Sequence, residues 1–380
     1  MRTTPLTQPD PDQLLQLHCQ AIVIDMHADT VQRVLDQDVD LKAGAPGLHL
    51  DITGMRAGGL DAQFFSIWPD PHQYWGASAC DRALALISAL TTQLERHTDV
   101  LERALTAGEI RRIAGAGKIA ALMGVEGGHA INDDLDVLRE FYSRGVRYLT
   151  LTHSRSTAWA GSSGDAEGAE RGLSGFGREV VREMNRLGMM VDVSHVSDRT
   201  FWEILAVATK PVIASHSAAR ALAHHPRNLS DEMIRAMAAK GGVVCIVFYP
   251  VFLDEDFARA AKSVWADLAP KLAELNESME SVAAGYEKDR LSAEALRARI
   301  MPIPLARLVD HIDHIARLVG VEHVGIGSDF DGITAVPQGL ETVAELPALT
   351  AELARHGYRT AEIEKILGGN VLRVMEAQER

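Results

Sequence analysis

His27, Asp29, Glu126, His195 and His216 are side chains of the kinds that bind divalent metals, and each stands at or just past the end of a short apolar run. IVID leads into His27 and Asp29, IAALMGV into Glu126, MMVDVS into His195, and PVIAS into His216. In extended chain, residues i and i+2 point the same way, so the His27 imidazole and the Asp29 carboxylate can reach one ion. An isolated His-x-Asp triplet carries little weight. Its recurrence with donors at matching places after other runs points to one gathered centre. Two histidines, a carboxylate able to bridge, and a further pairing of histidine with carboxylate suffice for two divalent ions a few ångströms apart. Nitrogen and oxygen donors suit zinc, which keeps a position open for water in catalytic sites. Water held between two such ions ionises near neutral pH and can attack a carbonyl carbon or a phosphorus.

Other residues could serve that chemistry. Asp329, in GSDFDG, is the candidate proton carrier, since a carboxylate beside the attacking water can take its proton and pass it to a leaving amine. Asp331 could take that part instead, and a loop aspartate that caps the next turn is the plain alternative. His153, closing RYLTLTH, could donate a hydrogen bond to an oxyanion; a satisfied core histidine is the competing reading. Arg227 could hold a substrate carboxylate with two parallel hydrogen bonds, against a merely solvated arginine. His129 reads as a loop anchor, and His311 and His314 as one face of a helix.

The elements that would position these groups follow from periodicity. Eight short apolar or β-branched runs read as strands, at Ala21 to Asp25, Asp61 to Trp68, Ile119 to Val125, Arg147 to Thr152, Met189 to Ser194, Pro211 to Ser215, Gly242 to Tyr249 and His323 to Ser328. Helical spacing fits Cys80 to Ala107, Asp134 to Arg144, Gly175 to Leu187, Asp198 to Thr209, Ser230 to Lys240, Leu305 to Val319 and Thr360 to Glu376. Strands apolar on nearly every residue, alternating with amphipathic helices, imply a parallel sheet with its outer side covered. Eight of them predict a closed (β/α)8 TIM barrel, whose strand ends converge on one mouth. An open doubly wound sheet is the rival, but HADT stands where a Gly-rich phosphate loop would follow the first strand. Val251 to Met301, rich in Ala, Glu, Lys and Arg, interrupts the repeat after the seventh strand as one or two helices. A solvated helical insertion is the plain reading; because it leaves from the catalytic face, a lid or a dimer contact is the alternative.

Composition sets the frame. With 47% hydrophobic residues over 380 positions, the chain can bury a large core, as two ordinary domains or as one barrel with insertions. No linker or repeat marks a second domain, so residues 1–380 read as a single barrel domain. A net charge of -14 and no basic tract argue against nucleic acid or anionic membrane as partner and for a small molecule. Cys19, Cys80 and Cys245 lie far apart with no CxxC pair, so they are expected to be free and buried. MRTTPLTQPDPDQ lacks a secretory pattern and no run is long enough to span a bilayer, so a cytoplasmic location is expected.

The series IDMHAD, GGLDAQFFSIW, MGVEGGHAI, LTLTHS, VDVSHVS, SHSAARALAHHPRN, GSDFDGI and GGNVLRV resembles the membrane (renal) dipeptidase family, zinc dipeptidases of the amidohydrolase superfamily. The resemblance runs from about residue 20 to the C-terminus, and SHSxARAL with HPRN, and GSDFDG, are its most specific parts. It implies a (β/α)8 barrel that hydrolyses dipeptides with two zinc ions per chain. By it, His27 and Asp29 ligate one zinc, His195 and His216 the other, and Glu126 bridges them. His153 and Arg227 contact substrate, Arg227 at the C-terminal carboxylate, and Asp329 is the acid/base. Family members often accept a D-residue at the C-terminal position. The secretion signal and lipid-anchor tail of mammalian members are not matched. A tyrosine expected near the substrate matches only loosely, to Tyr249. The expectation is a zinc dipeptidase, with a homodimer as an open possibility. A lactonase or phosphotriesterase on the same barrel is the first rival, and a non-catalytic binding protein the second.

Overall fold

The computed structural model describes residues 10–379, so the first nine residues of the N-terminal run read above lie outside the described residues. Nine parallel strands form the sheet: β1 Ile24–Ala28, β2 Ala62–Ile67, β3 Leu101–Arg103, β4 Ile119–Glu126, β5 Val146–Thr150, β6 Met190–Asp192, β7 Ile213–Ser217, β8 Val243–Ile246 and β9 Val324–Ile326. All but β3 run in the order β1-β2-β4-β5-β6-β7-β8-β9, a TIM barrel. β3 was not expected. The helix anticipated over Cys80 to Ala107 spans only Ala77–Arg96, and after a turn at His97 the chain pairs with the first half of β4, from Leu101↔Ile119 to Arg103↔Ala121. Val100, Leu101 and Ala104 are buried against the sheet, so their apolar spacing imitates a continuing helix.

Helices cover the outside, and their starts are written in side chains. Thr106, Ser174, Ser197 and Ser230 each accept a hydrogen bond from a backbone N–H of the first turn of the helix that follows, which satisfies a donor the helix cannot. The helices Gly175–Leu187 and Leu305–Val319 match their expected bounds. No described helix is long and apolar enough to cross a membrane. The cysteines are free, but only Cys245 is buried; Cys19 is exposed because it lies on the outer face of the helix Pro11–Gln20, and Cys80 is partly covered.

Inside the barrel, Ile24, Met26, Ala62, Phe64, Ala120, Leu122, Tyr148, Met190, Ile213, Val243 and Cys245 pack together, closed below by Val371, Leu372 and Met375. Phe65, Ile67, Ala121, Met123, Leu149, Val191, Ala214, Val244 and Val324 join the outer cluster beneath the helices, as pleat alternation requires. The register slips at three places: one lies between β4 and β5, where Met123↔Val146 is followed by Gly124↔Tyr148, and the other two lie in β1 and β7. β1 advances three residues between Asp25↔Gln63 and Ala28↔Phe65 where β2 advances two, and β7 does the same between Ala214↔Val244 and Ser217↔Ile246. Each is a one-residue bulge, and the bulged stretches contain His27 and His216.

Backbone pairing thins at two seams, and a buried aspartate mends each. β6 and β7 share the single pair Asp192↔Ile213; there Asp192 accepts from Ser194 N (3.0 Å), Ser215 N (2.9 Å), Ser215 Oγ (2.6 Å) and Thr150 Oγ1 (2.6 Å). Between β1 and β9, Asp25 accepts from Ser328 N at 2.7 Å and Ser328 Oγ at 2.6 Å. Past the strand ends, Asp329 N donates to His27 O (3.0 Å) and Asp29 N to Phe330 O (2.8 Å). The ring is thus closed by the segments that bear candidate site residues.

The insertion forms the helices Pro250–Leu253, Glu255–Ser278 and Ser281–Arg299. The last leans across to the far rim, where the Tyr286 hydroxyl donates to Asp36 at 2.9 Å and Ser281 Oγ to Gln73 Oε1 at 3.2 Å.

Removing the Asp25 carboxylate leaves Ser328 N–H and its hydroxyl without their acceptor in a dry seam. Asp25→Ala should cost about 3 kcal/mol of stability, the sum of lost charge-assisted bonds and unpaired donors, read by equilibrium denaturation. A loss within about 0.5 kcal/mol, the level of an ordinary surface change, would mean that the backbone closes the ring unaided.

Candidate active site

The five expected donors meet at the mouth. Glu126, the last residue of β4, is 3% exposed and divides its oxygens between two sides. Oε2 lies 3.2 Å from His27 Nε2, and Oε1 lies 2.9 Å from His195 Nε2 and 3.4 Å from His216 Nε2. On the Oε2 side, Asp29 Oδ2 is 3.5 Å from His27 Nε2, and Ser66 Oγ donates to Oε2 at 3.1 Å. On the Oε1 side, the Nε2 atoms of His195 and His216 face each other at 2.9 Å.

Strand ends and loops deliver these groups differently. His27 and His216 lie within β1 and β7, not after them as expected, and the bulges turn both rings inward to a centroid separation of 3.9 Å. His195 lies three residues past β6 with φ 67°, and Asp329 three past β9 with φ 65°. Left-handed backbone costs a non-glycine residue roughly 1–2 kcal/mol, and neighbouring contacts hold it in place. The His195 carbonyl accepts from Ser163 N at 2.8 Å and Ser163 Oγ at 3.0 Å.

The remaining candidates separate cleanly. Asp329 Oδ1 comes to 4.0 Å from His27 Nε2. Asp331 turns away, accepting from the Thr30 hydroxyl and, at 2.6 Å, from His49 N. His153 Nε2 is 3.8 Å from Glu126 Oε1, and its ring stands 5.2 Å from that of Trp68. Arg227 is buried, not a solvated cation; its Nη2 donates to His216 O at 3.1 Å, while Nε and Nη1 have no partner among the described residues. The Tyr249 hydroxyl lies 3.5 Å from Thr334 Oγ1. His129 Nε2 donates to Pro69 O at 2.8 Å and its ring stacks on Trp75, His311 accepts from Ala219 N and donates to Leu253 O, and His314 pairs with Asp231.

The electrostatics are those of a crowded, dry cluster. Burial pushes the Glu126 carboxyl up, but His27, His153, His195 and His216 around it prevail and hold it well below the usual carboxylate range. Asp329 goes the other way: burial, with Asp29 and Glu126 adding to it, holds its carboxyl well above that range against His27 and Arg227. Burial first, then Arg227 and His153, keeps His195 well below an ordinary imidazole, and burial with His27 does so for His216.

The donor set fits divalent metal. His27, Glu126 and His216 present ligand atoms within 4.8 Å of one another, as do Glu126, His153 and His195, and likewise His27, Asp29 and Asp329. His27 Nε2 and Asp29 Oδ1 are buried without a hydrogen-bond partner among the described residues, a costly state that a cation would relieve. The residues around the donors were not singled out from sequence. Tyr148, Asp192 and Ser215 lie against His27 and His216. The acid within the apolar run MMVDVS was the one available signal.

Comparison with known proteins agrees with this picture. A family model described as membrane dipeptidase, peptidase family M19, matches residues 12–380. Dipeptidase verJ of Clonostachys rogersoniana is 34% identical over 343 residues, covering 87% of this chain and 76% of that protein. The structure of the probable dipeptidase PvdM from Pseudomonas aeruginosa superposes with a TM-score of 0.81 at 27% identity, covering 97% and 98% of the two chains. A metallo peptidase from Rhodobacter sphaeroides, liganded with a phosphinate mimic of the dipeptide L-Ala-D-Ala, has a TM-score of 0.77 at 28% identity, with 94% and 99% covered. With sequence and fold agreeing over nearly the whole length, the chain belongs to the membrane dipeptidase family of metallopeptidases.

Proposed function

We propose that the protein is a binuclear zinc dipeptidase, in which His27 and Asp29 hold one ion, His195 and His216 the other, and Glu126 serves both. The observation that carries this reading is the division of the Glu126 oxygens, Oε2 toward His27 and Oε1 toward His195 and His216. Zinc at such a site polarises the scissile carbonyl and brings a water to ionise near neutral pH.

The chain's own groups do the rest. Arg227 binds the C-terminal carboxylate, its buried guanidinium keeping Nε and Nη1 without partners in the pocket wall; charge-assisted hydrogen bonds from a guanidinium fix the orientation of a carboxylate. His153, close to Glu126 and backed by Trp68, donates to the carbonyl oxygen as charge develops on it. Asp329 takes a proton from the attacking water and delivers it to the departing amine. Its carboxyl, held high by burial, suits a group that must carry a proton in one half of the reaction and release it in the other. Tolerance of a D-residue at the C-terminal position is part of the proposal, supported by the L-Ala-D-Ala mimic bound to the Rhodobacter sphaeroides relative.

A screen of L,L and L,D dipeptides with the purified protein, beside elemental analysis, tests the reading as a whole; no turnover of any dipeptide would refute it. Asp329→Asn should keep its metal and lose about 10²- to 10⁴-fold in kcat, and activity near wild type would remove Asp329 from proton transfer. Arg227→Ala should raise KM for free dipeptides on the order of 10- to 100-fold, the worth of hydrogen bonds to a charged group. It should also abolish the preference for a free dipeptide over its C-terminal amide. An unchanged preference would place the carboxylate elsewhere.

A further inference from the structure

Beneath the cluster lie three fully buried polar side chains, Tyr148, Asp192 and Ser215, to which no part in the chemistry has been assigned. Their hydrogen bonds can be followed proton by proton. The Tyr148 hydroxyl lies 2.8 Å from His27 Nδ1 and 3.2 Å from Met26 O. A carbonyl only accepts, so the phenol gives its proton to Met26 O and accepts the N–H of His27 Nδ1. His27 Nε2 is then bare, and Nε2 is the atom aimed at Glu126 and Asp29.

His216 follows the same logic through another partner. Ser215 Oγ donates to Asp192 Oδ2 at 2.6 Å and lies 2.9 Å from His216 Nδ1. With its proton committed to the carboxylate, the hydroxyl accepts the N–H of Nδ1. His216 Nε2 is left bare, facing Glu126 and His195. Asp192 cannot swing away, because two backbone N–H groups hold Oδ1 while Thr150 and Ser215 hold Oδ2. The phenol also has a place made for it, since a Cβ on Gly124 would stand 1.9 Å from Tyr148 Cζ.

We propose that Tyr148 and the Ser215 and Asp192 pair are positioning residues for the metal centre: each fixes the Nδ1–H tautomer of one histidine, and each governs a different metal position. Tyr148 acts on the position built from His27 and Asp29. Ser215 acts on the position built from His195 and His216. The two chains end differently, one in a neutral carbonyl and the other in a carboxylate, so the imidazole of His216 is made the more electron-rich donor. This inference rests on the metal reading given above.

The test is zinc affinity measured by competition with a chromogenic chelator, with the weakened position identified from anomalous-scattering peaks of crystals at limiting zinc. Ser215→Ala should weaken the His195 and His216 position, and Tyr148→Phe the His27 and Asp29 position, each by about 10- to 100-fold, the usual effect of removing a partner of a metal-binding histidine. Ser215→Thr, which keeps the hydroxyl, should stay near wild type. Equal losses at both positions, or none, would overturn the assignment. A second measurement needs no variant. In the zinc-loaded wild type, nitrogen-15 spectra of the histidines should show a proton on Nδ1 of both His27 and His216, with the His216 proton further downfield; zinc bound through Nδ1 of either ring would overturn the proposal. A wild-type protein that takes up no zinc would instead sink the metal reading itself, an outcome distinct from variants that bind as the wild type does.

Discussion

A β-strand shows alternate residues to alternate faces, and a barrel that must point two neighbouring residues inward has to break that rule. β1 and β7 each break it once, by a single extra residue opposite their partners β2 and β8. Met26 thereby packs in the lumen while His27 beside it reaches Tyr148 and Glu126, and Ser215 bonds Asp192 while His216 beside it reaches Glu126. Without the extra residue, one member of each pair would face the surrounding helices. The convergence of His27 and His216 on Glu126 depends on these two local departures from regular pleat.

The opposite edges of the two bulged strands pair thinly with their other neighbours, and there the protein compensates with charge. Asp25 sits at the seam between β1 and β9, and Asp192 at the seam between β6 and β7; both are buried and both are surrounded by hydroxyl and N–H donors. Burying a carboxylate is expensive unless its lone pairs are filled, and here they are filled by the backbone that the seam leaves unpaired. Asp25 lies two residues from His27, and Ser215, which bonds Asp192, is next to His216. Stability of the ring and placement of the histidines are therefore joined in the same few residues.

Much of this was legible from the amino-acid order. Seven of the eight barrel strands are buried along their whole length and β5 all but Arg147, so each appeared as a run apolar on most residues, and the donors at or just past the ends of those runs come together at the mouth. What escaped reading was non-local. A bulge is a relation between two strands, so nothing in IDMHA or IASHS alone discloses it. β3 was hidden because Val100, Leu101 and Ala104 extend a helical rhythm while lying on a sheet edge. Asp329 and Asp331 could be ranked only by distance from the strand; the His49 contact that turns Asp331 away comes from a loop remote in sequence. Tyr148 reads as an ordinary strand aromatic until its hydroxyl is placed beside His27.

The space shared by Gly124 and Tyr148 has a consequence for how such a barrel can change. A methyl group at the one position and a phenol ring at the other cannot coexist, so Gly124 is not free to change while the tyrosine stands. A lineage that replaced the tyrosine with a smaller residue would open a void under the histidine that a larger neighbour on β4 could then fill, and the return path would be blocked from that moment. The pair should therefore behave as one heritable unit, exchanged together or kept together, although the two residues belong to different strands.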